Sequence, residues 1–224
     1  MNTTYQPTRP FPRGLYGITP EWDDTHRLLA AIRAAHAGGM SVLQWRRKLA
    51  PAAHAQTQLQ AVIALCEELA LPLIINDQLE LALHHPVAGV HLGKGDGSLV
   101  HARQHLHPHQ WLGASCYNEF SRAQQAIHDG ANYVAFGALF PSQVKSNAVR
   151  AELQLLSKAR EYCEAHARTQ RVAVVAIGGI TPDNAHHAFH AGADAVAVIT
   201  SLFEASDITA QAQRFVHIFE HYGN

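Results

Sequence analysis

The chain has 224 residues, 47% hydrophobic and 16% charged, and its 17 Lys plus Arg against 18 Asp plus Glu give a formal net charge of -1. So much apolar side chain with so little charge excludes a disordered chain and is enough for one large core. The balanced charge gives no basis for a general nucleic-acid or membrane-surface binder, so any anion site has to be local.

Residues 1–13 carry three prolines and two arginines without an apolar run, and are expected to form a loose N-terminal tail rather than a signal or anchor. From there short apolar runs bounded by Gly, Asn, Asp or Pro alternate with longer stretches of helical spacing. The runs are Leu15 to Ile18, Ser41 to Arg46, Leu73 to Asn76, Ala88 to Leu92, Trp111 to Ser115, Tyr133 to Gly137, Ala173 to Ile177 and Ala195 to Ile199. Between them, Thr25 to His36, Ala52 to Ala70 and Glu152 to Ala167 combine helix formers with one apolar face, and a short helix is expected around Gln78 to His84. Gly38-Gly39, Gly130 and Gly192 stand where left-handed C-terminal caps belong, and Thr181-Pro182 reads as an N-cap followed by proline at the first helical position. Strand–helix alternation implies a parallel sheet, and eight strands select a single-domain (β/α)8 TIM barrel over residues 14–224.

The three cysteines, Cys66, Cys116 and Cys163, have no Cys-x-x-Cys spacing, which fits reduced thiols in the cytoplasm better than disulfides or a zinc knuckle. Among the 17 histidines, His84-His85, His186-His187 and His105-x-His107-x-His109 invite a metal reading. Adjacent histidines point apart on a helix, however, and the triplet lies in a Pro-containing connection with no neighbouring carboxylate.

In such a barrel the reactive residues gather at the C-terminal ends of the strands. Polar residues interrupt the apolar pattern there on seven of the eight strands: Gln44, Arg46 and Lys48; Asn76 and Asp77; His91 and Asp96; Ser115; Ser142 and Lys145; Gly178 and Gly179; Thr200. On a strand, the period of two in Gln44-x-Arg46-x-Lys48 would aim two cations and an amide at one place, which suits an anion such as diphosphate. Asp77 and Asp96, after neighbouring strands, are either a carboxylate pair for Mg2+ or helix N-caps. Gly178-Gly179 and Ile199-Thr200 could close backbone amides on a phosphate, or form a tight turn without a ligand.

From Leu15-Tyr16-Gly17-Ile18-Thr19 to about Leu202 the sequence resembles the thiamine-phosphate synthase family. The matching pieces are Gln44-Trp45-Arg46-Arg47-Lys48, Ile75-Asn76-Asp77, His91-Leu92-Gly93-Lys94-Gly95-Asp96, Leu112-Gly113-Ala114-Ser115, Phe136 to Lys145, Ile177-Gly178-Gly179-Ile180 and Ala197-Val198-Ile199-Thr200. The resemblance implies coupling of 4-amino-2-methyl-5-(diphosphomethyl)pyrimidine with a thiazole phosphate, giving thiamine monophosphate and diphosphate by a dissociative, Mg2+-assisted substitution. By the same resemblance Gln44, Arg46, Lys48, Asn76, Ser115 and Lys145 would hold the pyrimidine diphosphate, with Arg46, Lys48 and Lys145 neutralising the leaving group. Asp77 and Asp96 would hold Mg2+. Ser142, Gln143, Val144, Gly178, Gly179, Ile199 and Thr200 would take the thiazole phosphate, and His91 would line the site.

The loop departs from the family's Thr-x-Thr-Lys, reading Ser142-Gln143-Val144-Lys145, so one hydroxyl is kept and the second becomes a methyl. Two other barrels remain as alternatives: a thiazole tautomerase, which would have no diphosphate for Arg46, Lys48, Asp77 and Asp96 to meet, and a non-catalytic binder of thiamine precursors. The implied partners are small molecules, without nucleic acid or membrane, and homo-oligomerisation is left open.

Overall fold

The structure is a computed structural model that describes residues 10–141, 150–167 and 171–223. Its strands are β1 (Gly14–Ile18), β2 (Val42–Trp45), β3 (Leu73–Asn76), β4 (Gly89–Leu92), β5 (Trp111–Tyr117), β6 (Tyr133–Phe136), β7 (Ala173–Ile177) and β8 (Ala195–Val198). They pair in parallel, each with the next, and β8 returns to β1 to close the barrel. The helices among the described residues are α1 (Thr25–Ala37), α2 (Ala52–Glu68), α3 (Leu79–His84), α4 (Leu99–His105), α5 (Phe120–His128), α6 (Gln154–Ala165), α7 (Pro182–His190), α8 (Thr200–Phe203) and α9 (Ile208–Tyr222).

Each strand is buried on both faces, and alternation sorts its residues into two cores. On β7, Val174 and Ala176 face the helices while Ala173 and Val175 face the barrel interior; on β8, Val196 and Val198 go outward, Ala195 and Ala197 inward. The interior balances large against small, with Tyr16, Trp111 and Tyr133 filling the space left by Ala135, Ala173, Ala195 and Ala197. Phe11 completes this core, stacked on Tyr133 with ring centroids 4.1 Å apart and edge-on to Trp111 at 5.5 Å. The packed structure therefore reaches into the segment expected to be loose up to residue 13.

Helix ends follow local chemistry. Asp24 caps α1 by accepting from the Arg27 amide at 3.0 Å. Thr181 opens α7 with a capping box to Asn184 and proline in the first turn. Left-handed backbone occurs at Gly39, Gly130 and Gly192; Gly38 itself is not left-handed.

At the opposite end from the site, Asp194 ties β8 to β7 and α6. Its fully buried carboxylate accepts from the Val174 amide at 2.8 Å and from Arg171 and Arg160 at 2.9 and 3.1 Å.

Candidate active site

The second strand stops at Trp45, not at Arg46, because Thr19 takes over the Arg46 backbone. The Thr19 hydroxyl accepts from the Arg46 amide at 2.8 Å and donates to its carbonyl at 3.2 Å. Arg46 and Lys48 are therefore off the strand, and the expected single face of Gln44, Arg46 and Lys48 does not form. Gln44 points into the barrel and donates to the Tyr16 hydroxyl at 2.7 Å. Arg46 pairs with Glu21 at 3.0 Å. The same carboxylate accepts from the amides of Lys48 at 2.9 Å and Leu49 at 3.4 Å, and lies 3.6 Å from buried Arg47. Glu21 thus organises the turn after β2, around groups that all suit an anion.

Lys48 reaches the end of β3, where its ammonium lies 2.5 Å from Asp77. Asp77 has left-handed backbone, φ 63°, and its amide donates to the His91 carbonyl at 2.8 Å. Asp96 folds back to accept from the Gly93 amide at 2.7 Å. Neither aspartate is a helix N-cap: Gln78 holds that position for α3 and Ser98 for α4. The two carboxyl groups meet instead. Burial raises the Asp96 carboxyl and neighbouring Asp77 raises it further, whereas Asp77, despite its own burial, is held below the usual carboxylate range by Lys48 and by hydrogen bonds from Asp96 and Asn76. Two oxygen donors held together, each bearing on the other's ionisation, form a donor set that a hard cation would relieve. Mg2+ takes one or two carboxylates with substrate phosphate oxygens, so these residues fit it.

Inside the mouth, His91 lies between Ser115 (Nε2 to Oγ, 2.9 Å) and Tyr133 (Nδ1 to the hydroxyl, 3.1 Å). Burial pushes the imidazole down to about 4, so the ring is neutral at pH 7. The Tyr133 hydroxyl lies 2.9 Å from that of Tyr16, and burial raises both phenols well above their ordinary value.

Across the mouth, a cavity of about 240 Å3 is lined by the turn Gly178-Gly179, by Ile199, Thr200 and Ser201, and by Pro141. Both glycines have left-handed backbone, and a β-carbon on either would strike the chain between β6 and α6: Ala138 Cα at 2.5 Å for Gly178, the Pro141 carbonyl at 2.4 Å for Gly179. The glycines therefore let that chain lie directly on the turn after β7, held by the Leu139 and Phe140 amides on the carbonyls of Ile177 and Gly178. Four residues expected at the thiazole phosphate, Gly178, Gly179, Ile199 and Thr200, share this cavity. The other expected loop residues, Ser142, Gln143, Val144 and Lys145, lie outside the described residues.

The structure thus brings Lys48, Asp77 and Asp96 together, sets Ser115 against His91, and puts Arg46 on Glu21. Glu21, Tyr16 and Tyr133 carry polar contacts that sequence reasoning did not assign. Each tyrosine occupies an apolar position of a strand pattern and reads as core, and Glu21 is a lone carboxylate in a loop. Among the described residues no three His, Cys, Asp or Glu side chains converge on a metal position, and His105 bonds the His101 carbonyl of its own helix at 2.9 Å.

The family profile described as Thiamine monophosphate synthase matches residues 15–202. A Bordetella pertussis protein named thiamine-phosphate synthase is 51% identical over 203 residues, 91% of this chain and 93% of the relative. One of the same name from Methylobacillus flagellatus is 47% identical over 207 residues, 92% and 95%. The solved thiamine phosphate pyrophosphorylase from Pyrococcus furiosus superposes with a TM-score of 0.78 at 30% identity, covering 93% of this chain and 96% of its own. With this fold and these relatives, the chain belongs to the thiamine monophosphate synthase family.

Proposed function

We propose that this barrel couples 4-amino-2-methyl-5-(diphosphomethyl)pyrimidine to a thiazole phosphate, giving thiamine monophosphate and diphosphate. The observation that supports the reading is the presence, at one mouth, of two differently built groups of residues. Lys48 with the Asp77–Asp96 pair stands on one side, and the glycine-turn cavity after β7 and β8 on the other. One substrate brings a diphosphate and the other a phosphate.

The pyrimidine diphosphate lies over β2 to β5, with Gln44, Asn76 and Ser115 on its polar edges and Arg46, Lys48 and Lys145 around the diphosphate. Asp77 and Asp96 would hold Mg2+, which would supply positive charge to the leaving group. The thiazole phosphate sits in the cavity beside the Gly178-Gly179 turn, where the first-turn residues Thr200 and Ser201 offer amides. The sequence resemblance assigns Ser142, Gln143 and Val144 to the same substrate. Carbon–oxygen cleavage releases diphosphate and leaves a cation at the pyrimidine methylene, which the thiazole nitrogen captures. Such a reaction asks for charge neutralisation and alignment rather than a general base, and Arg46 on Glu21 and Lys48 on Asp77 are cations already held at the mouth.

Three buried thiols suit a reducing cytoplasmic setting, and among the described residues no helix is long and apolar enough to cross a membrane. The test is diphosphate release, measured with both substrates and Mg2+ and with each omitted in turn. Release that needs all three supports the coupling. Turnover of a thiazole substrate without any diphosphate would favour an isomerase instead.

A further inference from the structure

A chain of buried polar groups crosses the barrel interior from β2 to β5, and the coupling reaction as described does not call on most of it. Gln44 Nε2 donates to the Tyr16 hydroxyl at 2.7 Å, the Tyr16 and Tyr133 hydroxyls are 2.9 Å apart, and Tyr133 meets His91 Nδ1 at 3.1 Å. His91 Nε2 then meets the Ser115 hydroxyl at 2.9 Å. The chain exists because β5 carries no side chain at Gly113, which pairs with His91 on one side and Tyr133 on the other. A β-carbon there would lie 2.0 Å from Tyr133 Cζ, so the glycine lets the phenol pass over β5 and stack on the His91 ring, 5.4 Å between centroids.

We infer that Tyr133 is a positioning residue, which fixes His91 as the Nε2–H tautomer and so leaves the Ser115 hydroxyl proton free to face the diphosphate-bearing substrate. The argument is a count of protons. Gln44 Nε2 can only donate to Tyr16, so among the described contacts the Tyr133 oxygen is the acceptor within reach of the Tyr16 proton, and the Tyr133 proton then goes to His91 Nδ1. A ring nitrogen that accepts carries no proton, so in the neutral ring the proton is on Nε2 and is donated to Ser115. Ser115 then accepts within the barrel and has its own proton left to give. The opposite polarity would have Ser115 donate to His91 and turn an oxygen lone pair toward an anion, which is repulsive. Both ends of the chain therefore select the same direction. The inference rests on the proposed function for the identity of the ligand at Ser115, but not for the tautomer.

The test is nitrogen NMR of protein labelled with 15N-histidine, with the His91 signals identified by their loss in His91→Gln. The expected spectrum of the ligand-free protein at neutral pH has Nε2 protonated and Nδ1 bare. Tyr133→Phe should lose this single tautomer, while Tyr16→Phe should keep it because Tyr133 can still donate to His91. In kinetics, Tyr133→Phe should raise KM for the pyrimidine diphosphate by about three- to tenfold, the worth of one neutral hydrogen bond. KM for the thiazole phosphate should stay unchanged, and Tyr133→Phe should have no further effect in a Ser115→Ala background. A wild-type spectrum with Nδ1 protonated would overturn the inference, as would an equal loss in both backgrounds. If Tyr133→Phe does not fold, the wild-type and Tyr16→Phe spectra decide. A wild-type protein that makes no thiamine monophosphate would instead contradict the proposed function and leave the tautomer result standing.

Discussion

Replacing Gly179 by alanine probes the link between the glycine turn and the site. The added methyl would lie 2.4 Å from the Pro141 carbonyl oxygen and 2.5 Å from that of Phe140, both backbone atoms. Restoring an ordinary contact of 3.4 Å requires that chain to retreat by about 1 Å, the difference between the two distances. The backbone at residue 179, φ 66°, is also left-handed, which costs alanine about 1–2 kcal/mol. A loss near 2 kcal/mol lowers the melting midpoint of a chain this size by about 4–8 °C. The displaced chain walls the cavity proposed for the thiazole phosphate, and misplacement on the 1 Å scale can cost about 100-fold, so KM for thiazole phosphate should rise at least about tenfold. KM for the pyrimidine diphosphate should change less than about twofold, because the contacts proposed for it lie across the mouth. Gly95→Ala is the control: its β-carbon meets nothing within 4 Å, and its backbone is not left-handed. Steady-state kinetics and melting curves on the two variants decide, and a Gly179→Ala enzyme with unchanged thiazole phosphate KM would refute the placement of that substrate.

Further expectations follow from other contacts. Asp77→Asn and Asp96→Asn should each reduce turnover by about tenfold or more while circular dichroism stays native; full activity of either, or of wild type in excess chelator, would remove the metal assignment. Arg46→Ala should weaken pyrimidine diphosphate binding more than thiazole phosphate binding in calorimetric titration, and equal losses would point to a general field effect. His91 is held down to about 4 against 6.5 unfolded, so the unfolded chain binds the extra proton between those values. Stability is then complete above about pH 6.5 and falls by up to about 3 kcal/mol as pH drops toward 4; denaturant melts in which His91→Gln shows the same slope as wild type would contradict this. Asp194→Ala strands Arg171 and Arg160 around an emptied buried site and should cost about 3–5 kcal/mol in the same assay, with a loss under about 1 kcal/mol counting against the Asp194 lock.

The barrel was legible because each strand is a short apolar run buried on both faces, and such runs are marked in sequence wherever Gly, Asn or Pro bounds them. β3 and β7 coincide with their expected limits, and the other strands shift at one or both ends, by up to two residues. The end of β2 was hidden because the Thr19 hydroxyl, 27 residues away, takes both backbone groups of Arg46; that is a tertiary contact without a local signal. The same cause dispersed the triplet of Gln44, Arg46 and Lys48. Lys48, Asp77 and Asp96 were legible as mouth residues because strand ends determine position, but the direct grip of Lys48 on Asp77 was not. Tyr16 and Tyr133 escaped notice because a phenol at an inward strand position packs like any core aromatic, and only the structure reveals where its hydroxyl goes.

The central claim is that the two anion sites of one mouth join two substrates. It is tested most directly by mass-spectrometric detection of thiamine monophosphate after incubation of the purified protein with the pyrimidine diphosphate, the thiazole phosphate and Mg2+. The account predicts thiamine monophosphate and diphosphate in equal amounts, and neither when a substrate is omitted. Absence of thiamine monophosphate with both substrates bound would contradict it.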